Sequence, residues 1–227
     1  MLATERRAAR RIRLLDAGLD LLGTVGLPAT TVRAVCRKAE LTTRYFYESF
    51  NDVDELIVAV FDRAVEQTAQ EVVAAIAAAP ADYASRARAA IQTGVMSLTD
   101  DPRRARVVLA EGLGNPALLE RRGAALAAFT EITRQQVYDL LDVADADDAF
   151  VQATAHMLMG GFTDLMISHL AGALPHARDQ LIDDMTDLLV MTGEGMATVL
   201  NQRQRSKSRR RAPPRARPGS PGRNRSS

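Results

Sequence analysis

Between Thr31 and Phe50 the chain sets hydroxyl, guanidinium and phenol groups close together: Thr31, Arg33, Thr42, Thr43, Arg44, Tyr45 and Tyr47. These are the groups that bind duplex DNA. Arginine donates two parallel hydrogen bonds to guanine, hydroxyls reach phosphates or base edges, and free N–H groups at a helix start attract phosphate oxygens. Thr31 is a good N-cap for a helix ending near Ala39, and Thr42 for a second running to about Ser49. Val35, Ala39, Leu41, Phe46 and Phe50 can seal the inner side of this pair while Thr, Arg and Tyr face outward. A helix of eight residues is about 12 Å long, which matches the width of the major groove.

Other chemistry finds little support. His156, His169 and His176 form no i, i+4 pair with another ligand type, and lone Cys36 excludes an internal disulfide or a multi-cysteine zinc site. No Ser/His/Asp set, phosphate loop or paired carboxylates of plausible geometry can be read, so the expectation is a protein that is not an enzyme, with no metal and no cofactor. Cys36 reads as a small buried side chain.

The elements that must position the Thr31–Phe50 pair are helical. The chain has 227 residues, 47% hydrophobic and 25% charged, which allows one or two domains with a real core. Ala, Leu, Arg and Glu dominate, apolar residues recur at three and four, and no alternating β-branched run occurs. A first helix over about 5–23 carries the stripe Ile12, Leu15, Leu19 and Leu22. Asp52 and Glu55 form a capping box that opens a long fourth helix, with Ile57, Val60, Phe61, Ala64, Thr68, Val72 and Ile76 inward until Pro80 stops it. Further helices are expected over about 82–99, 102–112, 116–142, 145 to before Pro175, and 177–201, the last with Leu181, Met185, Leu188, Thr192, Met196 and Val199 inward. The total is nine, in an all-α fold. No internal repeat is present.

Charge is divided along the chain. Residues 1–50 carry a net charge of +4, residues 51–200 a net −13, and residues 201–227 a net +10, so both ends suit a polyanion and the body does not. Residues 202–227 hold Pro213, Pro214, Pro218 and Pro221 among Arg and Ser and should be a disordered basic tail. With one cysteine, no long apolar run and no signal peptide, the chain is expected to be cytoplasmic, away from any membrane.

The segment Thr31–Leu56, with the helix before it and Gly26, resembles the DNA-binding domain of TetR-family transcriptional regulators. The pattern is met at Cys36, Leu41, Thr42, Phe46, Tyr47, Phe50, Asp52, Glu55 and Leu56. It is departed from at Glu40, where glycine is usual, at Ser49 in place of histidine, and at Val53 in place of lysine. The resemblance implies base reading by Arg33, Thr43, Arg44 and Tyr45, and phosphate contact by Thr31, Thr42 and Tyr47. Ser49 and Val53 cannot reach phosphate as histidine and lysine would, and Arg10, Arg11 or the tail could do so instead.

The resemblance also implies three parts: a DNA-binding domain over 1–51, a ligand-binding and dimerisation domain over 52–201, and the tail over 202–227. Met96, Leu113, Phe129, His156, Met157, Phe162 and Met166 are the candidate lining of a pocket for a small apolar effector. Gly160, Gly161, Gly193 and Gly195, costly inside helices, suggest that helices 8 and 9 pack closely against a second copy. The function expected is a homodimeric repressor released from a palindromic operator by its ligand. The alternative is an architectural DNA-binding protein without an effector, and deletion of the tail would separate the two.

Overall fold

The computed structural model describes residues 3–110, 115–140 and 148–211. Among these residues the chain forms nine α-helices and no strand. They are α1 (Ala3–Thr24), α2 (Val32–Ala39), α3 (Thr43–Tyr47), α4 (Val53–Ala78), α5 (Tyr83–Thr99), α6 (Pro102–Ala105), α7 (Pro116–Leu140), α8 (Asp148–Leu170) and α9 (Arg178–Arg211). None of the described helices is long and apolar enough to cross a membrane.

Capping sets the helix starts where side-chain oxygens can accept from the first free N–H groups. Thr31 accepts from Ala34 N–H, Asp52 from Glu55 N–H, Asp82 from Ser85 N–H and Asp101 from Arg103 N–H. Glu55 completes its capping box one residue further out than the usual reciprocal bond, taking the Asn51 N–H at 2.7 Å and the Asn51 amide at 2.8 Å. Two helices, α8 and α2, end at left-handed residues. At Gly172 (φ 70°), Ala173 N–H returns to Ser168 C=O and Gly172 N–H to His169 C=O. Glu40 (φ 51°) ends α2 the same way, with Leu41 N–H on Cys36 C=O and Glu40 N–H on Arg37 C=O. The usual turn shape is therefore kept without glycine.

The core has three parts. The first joins α1–α3 to the start of α4, with Leu14, Val35, Phe46, Phe50, Leu56 and Phe61 all buried, and it also takes Val107 and Leu118 from the body. The second gathers Val95, Leu98, Ala105, Leu109, Met166, Leu181 and Met185. The third, Val137, Val151, Met196 and Leu200, closes the far end of α7–α9.

Several sequence expectations shift. The α1 stripe turns so that Leu14 and Leu15 are buried while Ile12 is exposed. α3 covers five residues rather than eight, though Phe50 N–H still bonds Phe46 C=O and prolongs the coil by a turn. The helix expected over 102–112 is a four-residue α6 followed by a π-helical turn over Arg106–Ala110. That wide turn sends Val107 into the first core and Leu109 into the second. α8 stops at Leu170, short of Pro175, because Gly172 ends it.

α9 buries Leu181, Ile182, Met185, Met196 and Leu200, and leaves Leu188 exposed. It continues to Arg211, ten residues past the end read from sequence, with the Arg203 guanidinium 4.3 Å above the Phe150 ring. The rest of the expected tail, 212–227, lies outside the described residues, as do the expected helix ends at 112, 142 and 145 and the candidate Leu113.

Candidate nucleic-acid interface and ligand cavity

α2 and α3 present one polar face because their apolar side chains all turn toward α1 and α4. Thr31, Arg33, Thr42, Thr43, Arg44 and Tyr47 are exposed, while Phe46 between them is fully buried. The Thr42 side chain makes no capping bond within its own helix, so hydroxyl and helix N–H groups face the same solvent. Tyr45 differs from the other six candidates. It is half-buried, with the Arg10 guanidinium 4.4 Å over its ring.

α1 braces this face, and sequence reasoning missed it. Arg10 also pairs with Glu48 at 3.0 Å, Arg7 donates to Glu48 C=O, and Arg11 stacks 4.7 Å over Phe50. Arg10 and Arg11, expected to reach phosphate in place of Ser49 and Val53, are thus turned onto the rings and carboxylate of the pair they support. Glu48 is the signal that could have shown this: an acid one turn after Arg44 on a face otherwise basic needs a cationic partner.

The pair is tied to the body through Asp20. Its carboxylate takes Lys38 from α2 at 2.7 Å and Arg103 from α6 at 3.2 Å, and these hydrogen bonds, Lys38 first, hold its pKa below the usual carboxylate range against a smaller opposing effect of burial. Arg106, at the start of the π turn, donates to Thr24 C=O at 2.9 Å.

Behind this junction α4, α5, α7, α8 and α9 enclose a cavity of about 640 Å³. Phe61, Val65, Val72, Ile76, Ala87, Ile91, Leu98, Leu126 and Ile132 are part of its apolar wall. Among the candidate ligand residues, Phe129, Met157 and Phe162 line it, Met157 being mostly exposed. Met96, His156 and Met166 do not. Met166 is fully buried in the second core and Met96 accepts from the Gln92 amide, while His156, read as lying in an apolar stripe, is exposed because α8 turns it outward.

The cavity also holds polar residues that sequence reasoning missed: Tyr83 and Arg86 on α5, Arg122 and Gln136 on α7. Tyr83 and Arg86 are spaced three apart, and Arg86 precedes inward-facing Ala87 and Ala90, so a cation on the apolar side of α5 was the available signal. Burial, reinforced by the Glu194 carboxylate, pushes the Tyr83 phenol up to about 12, which keeps it a hydroxyl donor across neutral pH. Gly193 is explained by this same ring. A Cβ there would run into Tyr83, so its close neighbour lies within the chain rather than in a second copy, whereas positions 160, 161 and 195 have open space. Among the described residues no group of three or more His, Cys, Asp or Glu could hold a metal.

Comparison with known proteins agrees with this geometry. Residues 14–60 match the family described as bacterial regulatory proteins, tetR family. No curated protein sequence matches the chain. Solved structures with the same fold include the fatty acid degradation regulator FadR from Bacillus halodurans, 13% identical with a TM-score of 0.68, covering 79% of this chain and 94% of that one. A TetR-like transcriptional regulator from Rhodococcus sp. RHA1 is 18% identical with a TM-score of 0.64, covering 80% and 94%. The transcriptional regulator FadR from Bacillus subtilis, solved in complex with stearoyl-CoA, is 15% identical with a TM-score of 0.67, covering 79% and 97%. Residues 14–60 thus match the tetR-family model, and the chain as a whole has the all-α fold of these solved structures.

Proposed function

We propose that the protein is a homodimeric transcriptional repressor that leaves a palindromic operator when a small, mostly apolar ligand fills the cavity. The observation that carries this reading is a single helix shared by both sites. Phe61 of α4 lines the cavity and belongs to the buried core beneath α2 and α3. A ligand that displaces α4 therefore displaces the DNA-reading face, by a coupling of about 1–3 kcal/mol between two such sites.

Residues 1–51 act as the DNA-binding unit and 52–201 as the ligand-binding and dimerisation unit. Arg33, Thr43 and Arg44 read bases, with Tyr45 at their edge, and Thr31, Thr42 and Tyr47 bind phosphates. A second copy is supported by Leu170 and Met191, which leave large apolar side chains exposed on α8 and α9, with open space at position 195. A two-fold dimer would place its two reading helices about 34–36 Å apart, one turn of DNA.

Selection of duplexes from a random pool should recover an inverted repeat, protected symmetrically in footprinting. Arg44→Ala should weaken binding to it by about 5- to 150-fold, with sequence preference relaxed at one position in each half. Recovery of no symmetric site, or an Arg44→Ala variant that binds as the native protein does, would refute the reading.

A further inference from the structure

The cavity is long and largely apolar, with Tyr83, Arg86 and Gln136 at one end and Arg122 at the other. Its wall follows α4 from Phe61 to Ile76 and α5 from Leu98 back to Tyr83, each a helical distance of about 22 Å. A rigid compact molecule would leave much of such a slot empty, whereas an extended alkyl chain follows it. At the Tyr83 end several polar groups converge with poor partners of their own. Arg86 Nη1 reaches Gln136 Oε1 only at 3.4 Å, its Nε is shielded from solvent without a hydrogen-bond partner, and the Tyr83 hydroxyl reaches Leu189 C=O only at 3.4 Å.

Two other arginines of the same region show what a satisfied cation looks like. Arg88, on the outer side of α5, pairs with Asp183 at 2.8 Å, and Arg122, at the far end of the cavity, donates to Leu109 C=O at 2.8 Å. Arg86 has no ion pair among the described residues. The nearby carboxylates do not serve it: Asp164, which lines the cavity from α8, and Glu194 on α9 are both exposed and neither pairs with it. A half-buried guanidinium with an unused donor calls for an anion, and the opening it faces is the ligand slot.

We propose that the ligand is a long-chain monocarboxylate, its carboxylate seated on Arg86 with the Gln136 amide and Tyr83 hydroxyl beside it, and its alkyl tail directed toward Phe61. The assignment deepens the repressor reading and rests on it for its biological meaning, but the binding site itself can be tested separately. The Gln136 amide must turn its NH₂ to the carboxylate while Arg86 turns from the amide oxygen to the anion. No bond is made or broken.

Calorimetric titration of the full chain with palmitate, methyl palmitate and palmitoyl-CoA tests it. Palmitate should bind at least about tenfold more tightly than its methyl ester, since a hydrogen-bonded ion pair is worth that much or more. Arg86→Gln should weaken palmitate binding by about tenfold and leave the ester unchanged, while Arg86→Lys should retain part of the preference. Should Arg86→Gln fail to keep its helicity, the acid and ester on the native chain and Arg86→Lys still decide.

Equal binding of acid and ester, no binding of palmitate, or a CoA thioester that binds more tightly than palmitate and ignores Arg86→Gln would each overturn the assignment. DNA binding measured in parallel separates the two levels. Palmitate held through Arg86 without any change in operator affinity sinks the repressor reading and leaves the assignment standing. An ester that releases DNA as well as the acid does the reverse.

Discussion

The proposed DNA-reading face and the cavity behind it are made of the same materials arranged in opposite ways. In α1–α3 the aromatic rings pack on one another, Phe46 against Tyr47 at 5.4 Å and against Phe50 at 5.7 Å, and the polar groups stand outside. In α4–α9 Phe129 and Phe162 face open space, and Tyr83 and Arg86 are turned inward. A surface that reads DNA needs a rigid backing, because a misplaced guanidinium loses its base; a pocket needs unfilled volume, which costs packing. The first region should therefore be intolerant of a reduction in side-chain volume and the second tolerant.

The largest expected effect tests that contrast directly. Phe46→Ala removes a fully buried ring and should cost about 3–5 kcal/mol in urea-induced unfolding. Phe129→Ala, at a half-buried ring that borders the cavity, should cost only about 1–2 kcal/mol, because the space beside it is already empty. Equal losses would mean that the two regions are packed alike and that the cavity closes in solution.

A smaller pair of changes sharpens the picture of the body. Gly193→Ala drives a methyl group into the Tyr83 ring and should destabilise by about 1–3 kcal/mol. Gly123→Ala, on α7 with nothing within 4 Å of the added carbon, should stabilise by about 0.8–1 kcal/mol through helix propensity alone. Thermal unfolding of the two variants side by side gives the sign of each, and two shifts of the same sign would contradict the placement of Tyr83 on Gly193.

The same contrast decides what could be read from the sequence. Thr31 and Asp52 mark helix starts through bonds that span three residues, and the inward row from Ile57 to Ile76 follows from period alone, so both were legible. Exposure of Arg33, Thr43 and Arg44 follows from the burial of Val35 and Phe46 on the other side of two short helices. The cavity wall depends instead on how five helices meet. Of four residues on α8 chosen as lining by type, Met157 and Phe162 border the cavity, His156 faces solvent and Met166 is packed between helices. Residue type marks a side chain as fit for a pocket, but the rotation of α8 about its axis is set by contacts with α7 and α9. The π turn at Arg106–Ala110 was equally hidden, since it gives Val107 and Leu109 separate cores that no single helical period would connect.

Asp20 joins the two regions, and its titration measures how firmly. Its lowered pKa means that the bonds from Lys38 and Arg103 stabilise the fold fully above the ordinary carboxylate pKa of about 3.9, and that this contribution fades as pH falls through the lower folded value. Asp20→Asn should therefore cost roughly 1 kcal/mol at neutral pH, and the difference from the native protein should shrink as pH falls below the ordinary carboxylate pKa. A difference that persisted in acid would assign the loss to packing rather than charge.

The smallest effect concerns the turn that separates α2 from α3. Glu40 and Gly172 end their helices with the same pair of hydrogen bonds and the same left-handed backbone, yet only one of them is glycine. A side chain at φ 51° carries about 1 kcal/mol of strain. Against this the Glu40 carboxylate gains only an exposed contact with Arg13 at 3.5 Å, of little value in water. Glu40→Gly should then stabilise the protein by up to about 1 kcal/mol in thermal unfolding, with the DNA-reading face unmoved and operator affinity at moderate salt unchanged or slightly raised by the loss of a negative charge. If the substitution destabilises, the Arg13–Glu40 contact outweighs the strain of the turn, and α1 braces α2 more strongly through that charge than the exposed geometry implies.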